Sequence, residues 1–207
     1  MAKADQDHDT RQKILEVAET QFGAKGYSGT HLQSIAEAVG VQKTALYYYF
    51  PSKEALYVSV LERMLETFAS IIGAATSRAE PSAEAVESLI DDLNDVLAEH
   101  PNFSRILIRI FVDRVEVDAT AIRPIVERVI DPLLRFYATG TASGNFRKLS
   151  SRHAFLSVIG AAVFYYAAGK SSSDILGIDD VFEPDAVAWR RREFRRLIIG
   201  GILPRSD

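Results

Sequence analysis

The chain contains no cysteine, which excludes disulfides, thiolate metal sites and a cysteine nucleophile together and fits a reducing compartment. No apolar run approaches the roughly 18 to 20 residues of a membrane span. The N-terminus is polar and acid-rich where a signal peptide would be basic and then apolar. A cytoplasmic protein that makes no membrane contact is therefore expected. Patterns that carry catalysis are missing as well. The four histidines, His8, His31, His100 and His153, are scattered, and there is no H-E-x-x-H, no Walker loop, no G-x-S-x-G and no dinucleotide glycine fingerprint. The sequence is not read as an enzyme and calls for no cofactor and no metal. Positive charge is also in short supply. The formal net charge is -4, and residues 1–50 hold five basic side chains (Lys3, Arg11, Lys13, Lys25, Lys43) against six acidic ones (Asp5, Asp7, Asp9, Glu16, Glu19, Glu37). Charge alone would argue against a nucleic-acid partner, so any such function has to rest on motif and geometry.

What is present is the composition of a packed globular protein, 47% hydrophobic and 25% charged over 207 residues. That length suits one large domain, or a small domain joined to a larger one. Helical period dominates, and no stretch of clean alternation between turns stands out, so the fold is read as all-α. A first helix is predicted over 10–25, with Thr10 as N-cap, Ile14, Leu15, Ala18 and Phe22 on one face, and Gly26 as a left-handed stop. Thr30 is read as opening a second helix, with Gln33 completing a capping box and Leu32, Ile35, Ala36 and Val39 as the buried face. Gly40 ends it. A short third helix covers 42–48, and Pro51-Ser52 separates it from a long fourth helix that starts near Lys53. Further helices are predicted over 82–99, 102–117, 119–137, 151–168 and 184–199, with breaks at Pro81, Pro101, 140–144 and 171–173.

Two short helices joined by a tight glycine turn and packed on a preceding helix form the tri-helical helix-turn-helix, whose last helix enters the major groove. The residues Gly26-Tyr27-x-x-Thr30, Ile35-Ala36-x-x-x-Gly40-Val41 and Leu46-Tyr47-x-Tyr49-Phe50-x-Ser52-Lys53-x-x-Leu56 resemble the signature of the TetR family of repressors. The match runs over about residues 10–60; the rest of the chain resembles the family only in being helical. The resemblance implies a three-helix DNA-binding domain over 1–52 and a larger helical ligand-binding and dimerisation domain over 53–207. It further implies a homodimer that binds a palindromic duplex operator as a repressor and is released by a small apolar or amphipathic effector.

Roles for single residues follow from chemistry. Leu32, Ile35, Ala36, Val39, Leu46 and Phe50 are core and serve to position. Gln42, Lys43 and Thr44 start the third helix, where side chains meet base edges; Gln pairs with adenine and Lys with guanine. The alternative for Lys43 is a solvated surface lysine, and Thr44 can be limited to a phosphate contact. In proteins similar to this one the tyrosine after the leucine, here Tyr47, touches phosphate, and the next position, often His or Arg, also faces DNA. Here that position is Tyr48, whose phenol can donate to phosphate or lie on a thymine methyl but carries no charge. Thr30 and Lys53 begin the second and fourth helices, where unpaired N–H groups favour an anion; plain capping is the other reading. His31 is read as a surface residue close to phosphate.

The larger part is less legible. Phe155, Ile159, Ala162 and Tyr166 share one face of the helix over 151–168, and Leu156, Gly160, Val163 and Ala167 another; a helix apolar all round must be covered twice, once by its own domain and once by a second copy. With Phe194 and Ile198 on the final helix, Phe155, Ile159 and Val163 are taken as the dimer interface. Arg190, Arg191, Arg192, Arg195 and Arg196, close in sequence to an acidic loop, are read as a solvated and partly ion-paired surface. For an effector pocket the candidates are Arg105, Arg109, Phe111, Tyr137, Tyr165 and Tyr166. An Arg could hold an acidic group, although Arg105, Arg109 and Asp113 at four-residue spacing also suit an exposed salt-bridged stripe, with Arg114 beside it. Two further classes remain open: a DNA-binding protein with no small effector or one governed by a protein partner, and a helical ligand-binding protein whose helix-turn-helix is only structural.

Overall fold

The computed structural model describes residues 2–78, 80–112 and 119–204. Among them are ten helices and no strand. The first, α1 (Ala2–Gly29), starts eight residues before the predicted Thr10, because nothing in the polar N-terminal stretch breaks helix; it is kinked at Gly26, where φ is 71° and ψ 177°. Gly26 thus has the positive φ expected of a stop, but the chain resumes helical turns to Gly29. Next come α2 (Leu32–Val39) and α3 (Lys43–Tyr49). Gly40 between them is left-handed (φ 80°, ψ 27°), and its N–H donates to the carbonyls of Ala36 and Glu37. A side chain with a Cβ adopts that conformation only at a cost.

After Ser52, whose Oγ accepts from the N–H of Ala55, α4 (Lys53–Arg78) runs on without a break. Then follow α5 (Ala83–Glu99), capped by Ser82 Oγ on the N–H of Ala85, α6 (Pro101–Val112) and α7 (Ala119–Ala142). The last three are α8 (Ser151–Ala167), α9 (Gly169–Leu176) and α10 (Pro184–Ile202). Helix α9 stands where 171–173 suggested a break. Ser173 returns its hydroxyl to the backbone, Oγ to the carbonyl of Gly169, and the helix ends only at left-handed Gly177.

One core runs from the N-terminal helices into the rest of the molecule. Ile14, Phe22, Ile35, Leu46 and Phe50 are buried together with Leu56, Val60, Leu61 and Met64 of α4, and these continue into Phe68, Ile106, Val129 and Tyr166. Each such side chain contributes about 1.5–3 kcal/mol on burial. A second cluster at the other end joins Val86, Ile90, Phe136, Phe146, Phe194 and Ile198. Helix α10 is also fastened to α5 by charge: Arg191 pairs with Asp95, and Arg195 with Asp91 and Glu87. The arginine run is partly ion-paired as expected, but Arg191 and Arg195 find their partners on α5 and Arg196 on its own helix, at Glu193, instead of in the neighbouring acidic loop. Among the described residues no single helix is long and apolar enough to cross a membrane.

Candidate nucleic-acid interface and internal cavity

Helix α3 turns one residue per turn inward and leaves the rest to solvent. Leu46 is fully buried, and Phe50 just beyond the helix nearly so. Gln42, the N-cap, has extended backbone and no side-chain cap bond, so its amide is available. Gln42, Lys43 and Thr44 are all exposed. Tyr47 is 44% exposed and Tyr48 75%, so both phenols are open to a partner. The Lys43 ammonium lies 5.9 Å from the centre of the Tyr47 ring, which sets cation and phenol side by side on one helix face. Tyr48 stands edge-on to Tyr49 at 5.1 Å. Tyr49 OH donates to Asp7 Oδ1 at 2.6 Å and so ties the end of α3 to α1. That bond, ahead of burial, holds the Tyr49 phenol above its ordinary value. Sequence reasoning passed over this contact, because nothing distinguishes Tyr49 from its two neighbours except its phase on the helix.

The remaining predicted contacts divide. His31 is exposed and is the N-cap of α2. Thr30 is not a cap and does not face outward. It is fully buried, with Oγ1 at 2.7 Å from the carbonyl of Gly26 and 3.1 Å from that of Gln21. The kink at Gly26 leaves carbonyls that a hydroxyl can satisfy, and Thr30 serves that need in place of a phosphate. Lys53 is half-buried, its ammonium 4.5 Å over the Tyr27 ring and 3.5 Å from the carbonyl of Ser28. Burial lowers its pKa.

The larger part holds a partly open cavity of about 190 Å³ between α4, α5, α6, α7, α8 and α10. Phe155, Ile159, Val163, Phe194 and Ile198, expected at a dimer interface, all line it. The periodicity of α8 had to fail here: a helix apolar on every side carries no signal for which side faces in. The apolar residues left to solvent on these two helices are Leu156, Phe164, Trp189 and Leu197.

Of the expected pocket residues only Tyr137 lines the cavity; its OH donates to the carbonyl of Arg147 at 2.6 Å and accepts from the N–H of Leu149 at 2.7 Å. Tyr166 is buried and donates to Asn94 Oδ1 at 2.9 Å. The ring of Tyr165 carries the Arg190 guanidinium at 4.4 Å. Arg109 points away, donating to the carbonyls of Gly23 and Ala24 in α1 at 3.4 and 3.2 Å, and Arg105 lies beside it at an open depression. Phe111 is exposed; Asp113 and Arg114 lie outside the described residues. The arginines therefore cannot hold an acidic group inside the cavity.

Residues 14–60 match the family model described as bacterial regulatory proteins, tetR family, and residues 83–198 match that of the tetracyclin repressor-like C-terminal domain. Over 198 residues the chain is 29% identical to the HTH-type transcriptional regulator RutR of Escherichia coli strain K12, a span of 94% of this chain and 91% of RutR. Over 180 residues it is 26% identical to the HTH-type transcriptional repressor NicS of Pseudomonas putida, covering 86% of this chain and 85% of NicS. The solved structure of the TetR family transcriptional regulator PfmR from Thermus thermophilus superposes with a TM-score of 0.72 at 23% identity, covering 95% of this chain and 98% of PfmR. At that identity the likeness speaks for the fold. An N-terminal helix-turn-helix with an exposed α3, a helical C-terminal domain, and family models matched in both parts have one meaning: this chain belongs to the TetR family of bacterial regulatory proteins.

Proposed function

We propose that the chain acts in the cytoplasm as a homodimeric repressor that binds a palindromic DNA operator and releases it when a small molecule fills the cavity. The observation that carries this reading is the course of α4. Its first turns bury Leu56, Tyr57 and Val60 against the N-terminal helices, and its later turns give Leu65, Phe68 and Ile72 to the cavity wall. One helix thus belongs to both places, and a ligand that prefers another setting of α4 alters the separation of the two recognition helices. Those must meet half-sites about 34–36 Å apart, or a multiple of that. Coupling of about 1–3 kcal/mol is enough for a working switch.

In this reading residues 1–52 are the DNA-binding unit and 53–207 the regulatory one. Gln42, Lys43 and Thr44 read bases, Tyr47 and Tyr48 meet the sugar-phosphate backbone, and His31 sits near a phosphate. The exposed Leu156, Phe164, Trp189 and Leu197 replace the cavity-lining set as the surface that joins two copies. The relatives RutR and NicS, a transcriptional regulator and a transcriptional repressor, support the same output. An apolar cavity set among six helices favours ligand control over a regulator that has no effector.

Selection from random duplex DNA tests the proposal. Wild type is expected to enrich a palindrome, and protein carrying both Lys43→Ala and Tyr47→Ala to enrich none. Failure of wild type to enrich any sequence at low salt would sink it, as would a monomer of full activity in light scattering.

A further inference from the structure

The chemistry of the cavity wall says what it can hold. Hydrocarbon side chains from six helices form it, among them Phe68, Leu93, Leu107, Leu133 and Phe155, and no charged residue lines it. The one lining side chain with a hydroxyl, Tyr137, has spent it: the proton goes to the carbonyl of Arg147 and the oxygen accepts from Leu149. Several charges on α5 and α10 are engaged elsewhere. Glu87, Asp91 and Asp95 of α5 are paired with Arg195 and Arg191, while Arg190 lies over the rings of Tyr165 and Phe194 and donates to the carbonyl of Ala161. The amide oxygen of Asn94 is taken by Tyr166. A polar atom on a ligand buried against this wall would find no side-chain partner, and a buried polar or charged group without a partner is expelled.

Size narrows the class further. An apolar cavity of about 150 Å³ stays dry and accepts benzene; at about 190 Å³ this one has room for a few more carbons. We infer that the ligand of this cavity is an uncharged, hydrocarbon-rich molecule of alkylbenzene or small-terpene size, and that carboxylates, amines and sugars of the same dimensions are refused. The inference rests on the cavity being the effector site, and it narrows that reading to one ligand class.

The test pairs n-butylbenzene with 4-butylbenzoate, which differ by one carboxylate. Both are titrated near neutral pH into the full chain bound to its selected operator, with calorimetry reporting binding and fluorescence anisotropy of labelled DNA reporting release. Binding of n-butylbenzene is expected, with 4-butylbenzoate at least about 100-fold weaker. Ala162→Leu, which pushes extra methyl groups into the cavity, should weaken n-butylbenzene about tenfold; if that variant does not fold, the paired comparison on wild type still decides. Equal or tighter binding of the benzoate overturns the inference, and so does absence of n-butylbenzene binding to protein that holds DNA. If n-butylbenzene binds and the DNA stays bound, the ligand class stands and ligand-driven release fails. If a charged compound enters the cavity and releases DNA, the class fails and release stands.

Discussion

Tyr166→Phe deletes one oxygen from the interior, and its cost can be worked out from the contacts. Tyr166 is 1% exposed and Asn94 2%, so neither has water to turn to. The phenol donates to Asn94 Oδ1 at 2.9 Å, and the amide nitrogen of Asn94 reaches Asp95 Oδ1 only at 3.4 Å. Burial, ahead of the neighbouring Tyr165, pushes the Tyr166 phenol far above its ordinary value, so it remains a donor across the working pH range. The substitution leaves almost no void but strands a buried amide oxygen, which costs about 1–3 kcal/mol. For a chain of this size each kcal/mol is worth roughly 2–4 °C in Tm, so a fall of about 2–12 °C is expected. Asn94→Leu alone strands the phenol at similar cost. The double variant Tyr166→Phe, Asn94→Leu removes both partners and should recover most of the loss, because two apolar groups of like shape need nothing from each other. Urea unfolding of the four proteins, read by circular dichroism, gives the coupling directly. A single variant with an unchanged midpoint, or a double variant whose loss is the simple sum, would refute the reasoning.

Three other outcomes are expected. Lys43→Ala should cost about 1–3 kcal/mol in operator affinity and relax the base preference at the operator position it reads; anisotropy titrations on a series of single-base operator variants would show an unchanged preference at every position if Lys43 only meets solvent. Gly140→Ala places a Cβ inside the volume of the Phe146 ring, whereas at Gly73 on α4 nothing lies within 4 Å. Melting should show Gly140→Ala losing about 1–3 kcal/mol while Gly73→Ala is neutral or gains up to about 1 kcal/mol; equal effects would count against the packing. Glu84 bonds its own backbone N–H and then the Ser82 hydroxyl, which holds its carboxyl below the ordinary 4.5. Because the folded pKa is depressed, this contribution is complete above the unfolded value and is lost as pH falls through the folded one. Unfolding midpoints measured from about pH 6 down to about pH 3 should therefore drop less in Glu84→Gln than in wild type, and parallel curves would exclude the effect.

The helix-turn-helix was legible because its signals are local. Gly40, the apolar face of Leu32, Ile35 and Ala36, and the exposed start of α3 all follow from spacing. Thr30 was misread for the same local reason: a threonine before an apolar run fits an N-cap, and only the kink of α1 reveals the carbonyls that claim its hydroxyl. In the larger part the helices apart from α9 were found, but their phase was not. Helix α8 offers no polar side to mark the outside, so Phe155, Ile159 and Val163 looked as suited to a partner as to a cavity. Arg109 was judged by its neighbours on α6, when its bonds go to Gly23 and Ala24, some eighty-five residues away in the chain. The partners of Arg191 and Arg195 on α5 are as distant, and no periodicity encodes such pairings.

That grip of Arg109 on α1 has a mechanical meaning. Asn102 on the same helix adds a second contact, to Thr20 Oγ1 at 3.5 Å, and α1 packs on α4 as well. The same α6 carries Leu107 in the cavity wall. In the proposed switch the N-terminal helices therefore rest on two struts that both reach the cavity, and a shift of α4 alone would load the contacts of α6.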